Sequence, residues 1–254
     1  ALTITVLVEN TSRAGTVLCE HGLSLWIETG GGRFLFDAGQ SGIVRHNAEA
    51  LGIDLAQADA VILSHGHYDH AGGLADALEC TGLIRVFAHP AAFQPKYSGR
   101  PHGGCRDIGV PPEAAAALRE KADIVETLEP VEVGSGLYVT GPIPRTTDFE
   151  DTGGAFFKDK ACRRPDGMID DQAAFVDTPP GIAVILGCAH AGIINIIHYV
   201  RQLVRDRPIH TVIGGTHLMT ASSDRMDKTV RALRELRVQR LFPLHCTGPA
   251  AAAR

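Results

Sequence analysis

Long apolar runs and runs of like charge are both absent from this sequence. The apolar stretch at residues 182–186 is typical of the longest ones, whereas a membrane-spanning helix needs roughly 20 such residues. Basic residues number 24 and acidic residues 29, for a net charge of −5, and neither sign forms a run of five. We therefore expect no membrane insertion and no binding to nucleic acid or to an anionic membrane surface.

Closely spaced cysteines are also missing. The six cysteines are scattered along 254 residues without a CxxC pair, which favours reduced thiols over a disulfide framework. Residues 2–8 alternate threonine with aliphatic residues, which indicates a strand rather than a signal peptide. A chain of this length buries a core without covalent links. We therefore expect one domain over residues 1–254 and a cytoplasmic location.

Short apolar runs alternate along the chain with segments of helical periodicity. The runs predict strands at residues 2–8, 24–29, 33–37, 60–64, 84–88, 124–128, 137–140, 173–177, 182–186, 211–214 and 240–244. Helices are predicted at residues 41–51, 71–78, 112–122, 193–204 and 224–236. Residues 93–112 contain so many prolines and glycines that we expect one long loop. The predicted fold is α/β, with two mixed sheets and helices packed outside them.

The strongest chemical signal is an HxHxDH pattern at the end of a predicted buried strand. It consists of His65, His67, Asp69 and His70. Zinc and similar cations prefer imidazole and carboxylate ligands. A tight loop lets the first two histidines face one cation while Asp69 and His70 turn toward a second position. The pattern therefore predicts that all four residues are metal ligands.

Three later histidines share one local setting, because each follows an apolar strand. They are His190, His217 and His245. If the strands run alike, their carboxyl ends place these histidines at the same edge as the HxHxDH pattern. We predict His190 and His245 as metal ligands and His217 as a substrate contact. Cys188 also follows a strand, either as a thiolate ligand or as a buried structural thiol.

Basic residues in the predicted loop suit an anionic substrate. Lys96, Arg100, His102 and Arg106 all lie within residues 93–112. Arginine and lysine bind phosphate groups well. We predict that Lys96 and Arg100 bind the substrate, with solvated surface charge as the alternative.

The other polar residues give weaker signals. Asp37 ends a strand, and it either orients a metal-binding histidine or forms a turn. Four histidines have no chemical neighbours in the sequence, so we expect them at the surface or in ordinary packing. They are His21, His46, His198 and His210.

The sequence motifs of this chain resemble those of the metallo-β-lactamase superfamily over nearly the whole chain. The resemblance rests on the string FDAG at residues 36–39, the HxHxDH pattern, the glycine pair at 72–73 and the strand-end histidines. The variant strings GCAHAGIIN at 187–195, GGTHL at 214–218 and HCTG at 245–248 are similar to those of the dihydropterin ribofuranosylaminobenzene phosphate synthase-like branch.

The resemblance implies an αββα sandwich of two mixed β-sheets with outer helices. It also implies a site for one or two divalent cations between the sheets, usually zinc and sometimes iron or manganese. The positions that match ligands of the superfamily are His65, His67, Asp69, His70 and His245.

The chain departs from the superfamily pattern in three respects. A strand-end Gly-Asp pair is replaced by Gly187-Cys188, and no histidine in a ligand-like setting lies between His102 and His190. His190 then supplies a displaced ligand, or the second cation binds weakly. Relatives usually continue further after the histidine that matches His245, so a missing C-terminal element is one expectation.

Three functions remain open. The first is a metal-dependent hydrolase acting on a small anionic, phosphoester-like substrate, with Asp69 and His190 as catalytic residues. Such an enzyme uses a cation to lower the pKa of water from about 15.7 toward 7. The second is a condensing enzyme of the pterin pathway. The third is a ligand-binding or sensor protein that keeps the scaffold with weak or no turnover.

Overall fold

The computed structural model describes residues 1–13, 15–100, 103–205 and 207–254. Its strands are β1 (Thr3–Val8), β2 (Ser24–Glu28), β3 (Arg33–Phe36), β4 (Ala60–Ile62), β5 (Ile84–Ala88), β6 (Tyr97–Gly99), β7 (Cys105–Asp107), β8 (Ala122–Glu126), β9 (Val131–Gly134), β10 (Leu137–Val139), β11 (Phe156–Phe157), β12 (Ala173–Thr178), β13 (Gly181–Leu186), β14 (Ile209–Gly215) and β15 (Arg240–Leu244). Its α-helices are α1 (Ile43–Ala50), α2 (Tyr68–Ala71), α3 (Leu74–Thr81), α4 (Pro112–Lys121), α5 (Ile193–Leu203), α6 (Ser223–Glu235) and α7 (Pro249–Ala252). Each strand and helix predicted from the sequence is present, with ends shifted by a few residues.

Two mixed sheets form the centre of the fold. The first has the strand order β1-β2-β3-β4-β5-β8, and its strands from β3 onward are parallel. The second has the order β15-β14-β13-β12-β10-β9, with β13, β14 and β15 parallel. In the ranges that the structure describes, no helix combines the length and apolar character that a membrane span requires.

Side chains along the central strands point alternately to the two faces of each sheet, which explains the order of the layers. Phe34 and Phe36 of β3 are buried between the sheets together with Ile185 of β13. Leu35, which points to the opposite face, packs with residues of α1, α3 and α4. Val184 of β13 likewise packs with residues of α5. Because both sheets are buried on both faces, the predicted αββα sandwich of two mixed sheets with outer helices is confirmed.

The prediction of one long loop at residues 93–112 is wrong in part. β6 and β7 form a hairpin that pairs with β11 in a small third sheet. Their strands are short and rich in glycine and polar residues, so the sequence shows no apolar run there. Hydrogen bonds between segments distant in the sequence supply the order that local periodicity does not show.

The preference for reduced thiols over disulfides fails for one pair of cysteines. Cys105 of β7 is disulfide-bonded to Cys162, 57 residues away in the sequence. Spacing in the sequence gave no sign of this pair, because the contact depends on the third sheet. The other four cysteines are free. Since the cytoplasmic location was inferred from reduced thiols, it stays a prediction.

We expect the core between the sheets to carry much of the stability. Leu25 of β2 is fully buried there, and Leu25→Ala is predicted to lower the free energy of unfolding by about 2–5 kcal/mol through lost apolar contacts and a cavity. Urea unfolding measures the change. Leu83→Ala, at a position that is 80% exposed, is the matched control and should change it by no more than about 0.5 kcal/mol. Equal losses in both variants would contradict this description of the core.

Candidate metal centre

The predicted site residues gather where parallel strands of both sheets end. In the first sheet, β3 leads into Asp37, and β4 leads into the loop that carries His65 and His67. In the second sheet, β13, β14 and β15 end shortly before His190, His217 and His245, respectively. The structure thus brings the strand-end histidines to the edge that holds the HxHxDH pattern. Whether they bind a metal stays a prediction at this point.

Two glycines allow the loops at this edge to approach one another closely. A Cβ atom at Gly187 would lie 2.0 Å from Oγ of Ser64, across the gap between the sheets. A Cβ atom at Gly66 would lie 1.8 Å from the carbonyl oxygen of Ala92. Neither contact tolerates a side chain, so these positions let the two sheets present their loops to one common point.

His65, His67 and His190 form what we name the first donor group. Their ligand atoms all lie within 4.8 Å of one another, and Nε2 of His65 is 3.1 Å from Nδ1 of His67. Nδ1 of His190 lies 2.8 Å from the carbonyl oxygen of Thr152. A carbonyl oxygen only accepts hydrogen bonds, so Nδ1 carries the proton and Nε2 of His190 keeps its lone pair.

A short hydrogen-bond chain fixes the tautomer of His65 in the same way. The hydroxyl of Ser64 donates its only proton to Oδ2 of Asp37, at 2.7 Å. Nδ1 of His65, 2.9 Å from the same hydroxyl oxygen, must therefore be the donor in that contact. Nε2 of His65 is left with a lone pair that faces the other two histidines.

The first donor group fits a divalent cation. Nε2 of His190 is buried, and among the described residues it has no hydrogen-bond partner. Buried polar atoms without partners are uncommon and cost stability. Three imidazole nitrogens around one point are the donors that zinc and similar cations prefer. A cation shared by these nitrogens would satisfy all of them.

Asp69, His70 and His245 form what we name the second donor group. Nδ1 of His70 donates to Oδ2 of Asp37 at 2.6 Å, and its Nε2 lies 3.1 Å from Sγ of Cys188. Nε2 of His245 lies 3.2 Å from Oδ2 of Asp69. Ligand atoms of both groups lie within 4.8 Å of the Cys188 sulfur, so this residue stands between them. Of the two alternatives for Asp37, the orientation of a histidine is the one observed.

Burial keeps the first donor group neutral. Desolvation is the largest cause that lowers the pKa of His65 and of His190 well below the ordinary value, with neighbouring histidines adding to the effect. Desolvation also lowers the pKa of His67 to about 3. A neutral imidazole offers a lone pair to a cation without first losing a proton.

The second donor group has a different charge pattern. Burial acts to lower the pKa of His70, but the Asp37 carboxylate raises it to about 9. Burial acts to raise the pKa of Asp69, but the contact with His21 holds it well below its ordinary value. Burial raises the pKa of the Cys188 thiol well above its ordinary value. Cation binding in this group therefore competes with protons.

A pocket of about 390 Å³ opens onto both donor groups. Asp69 and His190 line it, and so do Arg100, Arg106 and His217. Nδ1 of His217 is buried and has no hydrogen-bond partner within the described ranges. The pocket thus combines possible metal ligands with two cationic side chains. Substrate binding by Arg100 and His217 remains a prediction.

Lys96 requires a correction, because the structure does not place it in this pocket. Its side chain is 2% exposed, and its ammonium nitrogen lies 2.7 Å from Asp170 Oδ1 and 3.2 Å from Asp166 Oδ2. A lysine already buried against two carboxylates is not available to a substrate. The sequence prediction failed because the partners lie 70 and 74 residues away. His102, from the same basic segment, lies outside the described residues.

A segment of three polar residues that the sequence analysis missed holds two of the loops that carry candidate ligands. Oδ2 of Asp170 accepts a hydrogen bond from the Gly66 amide at 2.9 Å, and Oδ2 of Asp171 accepts one from the Ala191 amide at 2.8 Å. The next residue, Gln172, donates from its side chain to the Leu63 carbonyl oxygen at 2.9 Å. Residues 170–172 thus fix the loop before His67 and the loop after His190. Two adjacent acidic residues before a buried strand were the available signal.

His21 is exposed, as predicted, but it also contacts the site, which the sequence analysis did not predict. Its Nε2 atom lies 3.1 Å from Oδ2 of Asp69, and its ring centre is 4.8 Å from that of His245. It lines the same pocket. The sequence offered only an isolated histidine between Glu20 and Gly22, and nothing local connects that position to Asp69.

Comparisons with known proteins agree with this geometry. The sequence profile of the metallo-beta-lactamase superfamily matches residues 18–150. A relative from Methanocaldococcus jannaschii, the uncharacterized protein MJ0448, is 35% identical over 247 residues, which cover 96% of this chain and 90% of that protein. A second protein of that organism, named 7,8-dihydropterin-6-methyl-4-(beta-D-ribofuranosyl)-aminobenzene-5'-phosphate synthase, is 29% identical over 244 residues, or 90% of this chain and 81% of that protein.

Solved structures also show similarity to the metallo-beta-lactamase superfamily. Tm1679, described as a metal-dependent hydrolase of the beta-lactamase superfamily, aligns with a TM-score of 0.85 and 34% identity, covering 100% of this chain and 91% of that chain. A diphosphatase from the PhnP family aligns with a TM-score of 0.51 at 15% identity, covering 96% of this chain and 85% of that chain. The second likeness concerns the fold alone.

Asp170→Asn is predicted to weaken metal binding, because it removes the charge that pairs with Lys96 and disturbs the bond to the Gly66 amide. We expect the Kd for zinc to rise about tenfold or more, as for other residues that orient metal ligands. Competition with a chromophoric chelator measures this Kd. Asp177→Asn changes an exposed aspartate whose ion pair is with Arg207, and it should leave the Kd unaltered. Equal affinities for both variants would refute the role given to Asp170.

Proposed function

Because the chain belongs to the metallo-beta-lactamase superfamily, as its sequence motifs predicted, we propose that it is a metal-dependent hydrolase acting on a small anionic, phosphoester-like substrate. One observation carries this proposal. The two donor groups open into a single pocket that Arg100 and Arg106 also line. Cation ligands and anion-binding side chains thus face the same space, as attack on an anionic ester requires.

Zinc is the cation that the donor set favours, as one or two ions. Imidazole, carboxylate and thiol donors in one site suit zinc, and iron or manganese are the alternatives. A bound divalent cation would supply hydroxide at neutral pH and polarise the bond under attack. His65, His67 and His190 would hold one ion, and Asp69, His70 and His245 would hold the other.

Two side chains of the pocket have proposed roles in the reaction itself. Asp69 stays ionised at neutral pH, so its carboxylate accepts a hydrogen bond from the attacking water and orients it. His190 receives its orientation from the Thr152 carbonyl oxygen, which keeps its Nε2 directed at the reaction centre. Asp69 and His190 are therefore the proposed catalytic residues.

The cationic side chains of the pocket account for the choice of an anionic substrate. The Arg106 guanidinium stacks 4.7 Å from the centre of the Tyr68 ring, which limits the positions that it can adopt. Arg100 lines the same pocket. Two guanidinium groups bind phosphate oxygens more specifically than dispersed surface charge does. We propose a small molecule as the partner.

A condensing enzyme of the pterin pathway is the second candidate. It is favoured by the 29% identical relative, whose name describes a dihydropterin ribofuranosylaminobenzene phosphate synthase. The same cationic pocket would bind an anionic leaving group. An assay with a pterin pyrophosphate donor and a ribosylated arylamine acceptor tests it. Formation of the condensed product would favour condensation over hydrolysis as the main activity.

Removal of metal is predicted to abolish hydrolysis. Dialysis against a chelator should lower turnover of bis(p-nitrophenyl) phosphate at least about 100-fold, since a catalytic cation supplies several kcal/mol of stabilisation. Zinc, manganese or iron should restore it. His67→Ala should remain inactive after metal is added back, whereas His46→Ala, an exposed histidine, should behave like the wild type.

Two outcomes would contradict the proposed hydrolase. The first is turnover that persists undiminished after chelation. The second is tight binding of phosphoesters without turnover under every metal, which would indicate a ligand-binding or sensor protein on this scaffold.

A further inference from the structure

We propose that His21 is a direct ligand of the second cation, which it binds together with Asp69 and His245. This inference rests on the metal centre of the proposed function, although not on any hydrolytic activity. The three ligand atoms lie within 4.8 Å of one another at the wall of the pocket. His21 precedes β2, far in sequence from both partners, and no superfamily motif in the sequence includes it.

The first support is the fixed orientation of the His245 ring. Asn10 accepts a hydrogen bond from the Gly22 amide through an atom that must be its oxygen, since an amide N–H only donates. The same Oδ1 lies 2.7 Å from Nδ1 of His245, so Nδ1 is the donor and carries the ring proton. Nε2, the other nitrogen of the ring, is therefore the atom that would bind a cation.

Nε2 of His245 also lies beside the Asp69 carboxylate. It is 3.2 Å from the Asp69 Oδ2 atom, and within the described ranges it has no hydrogen-bond partner of good geometry. Both atoms are buried, and a cation between them would bind each of them.

The second support is the position of His21 at the same oxygen. Nε2 of His21 is 3.1 Å from Oδ2 of Asp69. Donors that share one tetrahedral zinc, each at 2.0–2.1 Å, are about 3.3 Å apart. The two distances to the Asp69 oxygen, 3.1 Å and 3.2 Å, are close to that separation. His21 and His245 therefore suit adjacent corners of one coordination sphere.

The third support is that backbone contacts hold His21 in place. The amide of Leu23 donates to the carbonyl oxygen of Asp69 at 3.2 Å. A Cβ atom at Gly22 would lie 2.7 Å from that same carbonyl oxygen, so only glycine lets the chain pass so close. The amide of Glu20 donates to the Glu9 carbonyl oxygen at 3.2 Å. The backbone on both sides of His21 is thus anchored, which holds its half-exposed ring close to Asp69.

The test measures how many metal ions bind and how tightly each one binds, with no substrate present. Metal-free protein is titrated with Zn²⁺, bound metal is counted by elemental analysis after gel filtration, and a chromophoric chelator gives the Kd of each equivalent. We expect two equivalents for the wild type. His21→Ala should keep the first unchanged and weaken the second at least about tenfold. His245→Ala should weaken the same equivalent, and the double variant should show a non-additive loss because both ligands serve one ion.

Two controls separate ligation from a general loss of structure. His46→Ala removes an exposed histidine of α1 and should leave both equivalents unchanged. His21→Asn keeps a polar side chain at this 51% exposed position and should weaken the second equivalent as His21→Ala does. Far-UV circular dichroism should show the wild-type fold for every variant.

The proposal is overturned if His21→Ala binds two equivalents with wild-type affinities, or if the wild type binds only one. The result does not depend on hydrolytic activity. A protein that binds two Zn²⁺ ions, loses the second in His21→Ala and hydrolyses nothing would refute the hydrolase and support this ligand assignment.

Discussion

The site depends on where the protons of its imidazole rings are held. Three histidines give the Nδ1 proton to a fixed acceptor, which directs each Nε2 toward the site. The pairs are His65 with Ser64, His190 with Thr152, and His245 with Asn10. Acceptors that select the tautomer in this way also fix the ring orientation and raise ligand basicity. A cluster of buried nitrogens with lone pairs facing one another is costly by itself, and a shared cation would make it favourable.

The αββα sandwich supplies the geometry that this constraint needs. Parallel strands of each sheet end at one edge, and the two edges meet where Gly187 lies against Ser64. Asp37, which leaves β3 with a φ of 56°, reaches both Ser64 and His70. Residues 170–172 then connect the loops of the two sheets through three hydrogen bonds. The fold thus carries the candidate ligands on loops that follow strand ends and that these hydrogen bonds hold in place.

Much of this arrangement could be predicted from the sequence because the signals are local. The HxHxDH pattern is contiguous, and the rule that strand-end residues share an edge brought His190 and His245 to it. Lys96 was mispredicted because charge in a proline- and glycine-rich segment suggests solvent exposure, whereas Asp166 and Asp170 bury it. Such contacts depend on segments far apart in the chain, and a single sequence carries no pairing information about them.

The most direct test of the account is a crystal structure of zinc-loaded protein with anomalous scattering recorded at the zinc edge. The account predicts a peak among His65, His67 and His190, with the histidine rings in the orientations described here. A map without an anomalous peak at that point, or with these three rings turned away from one another, would contradict it.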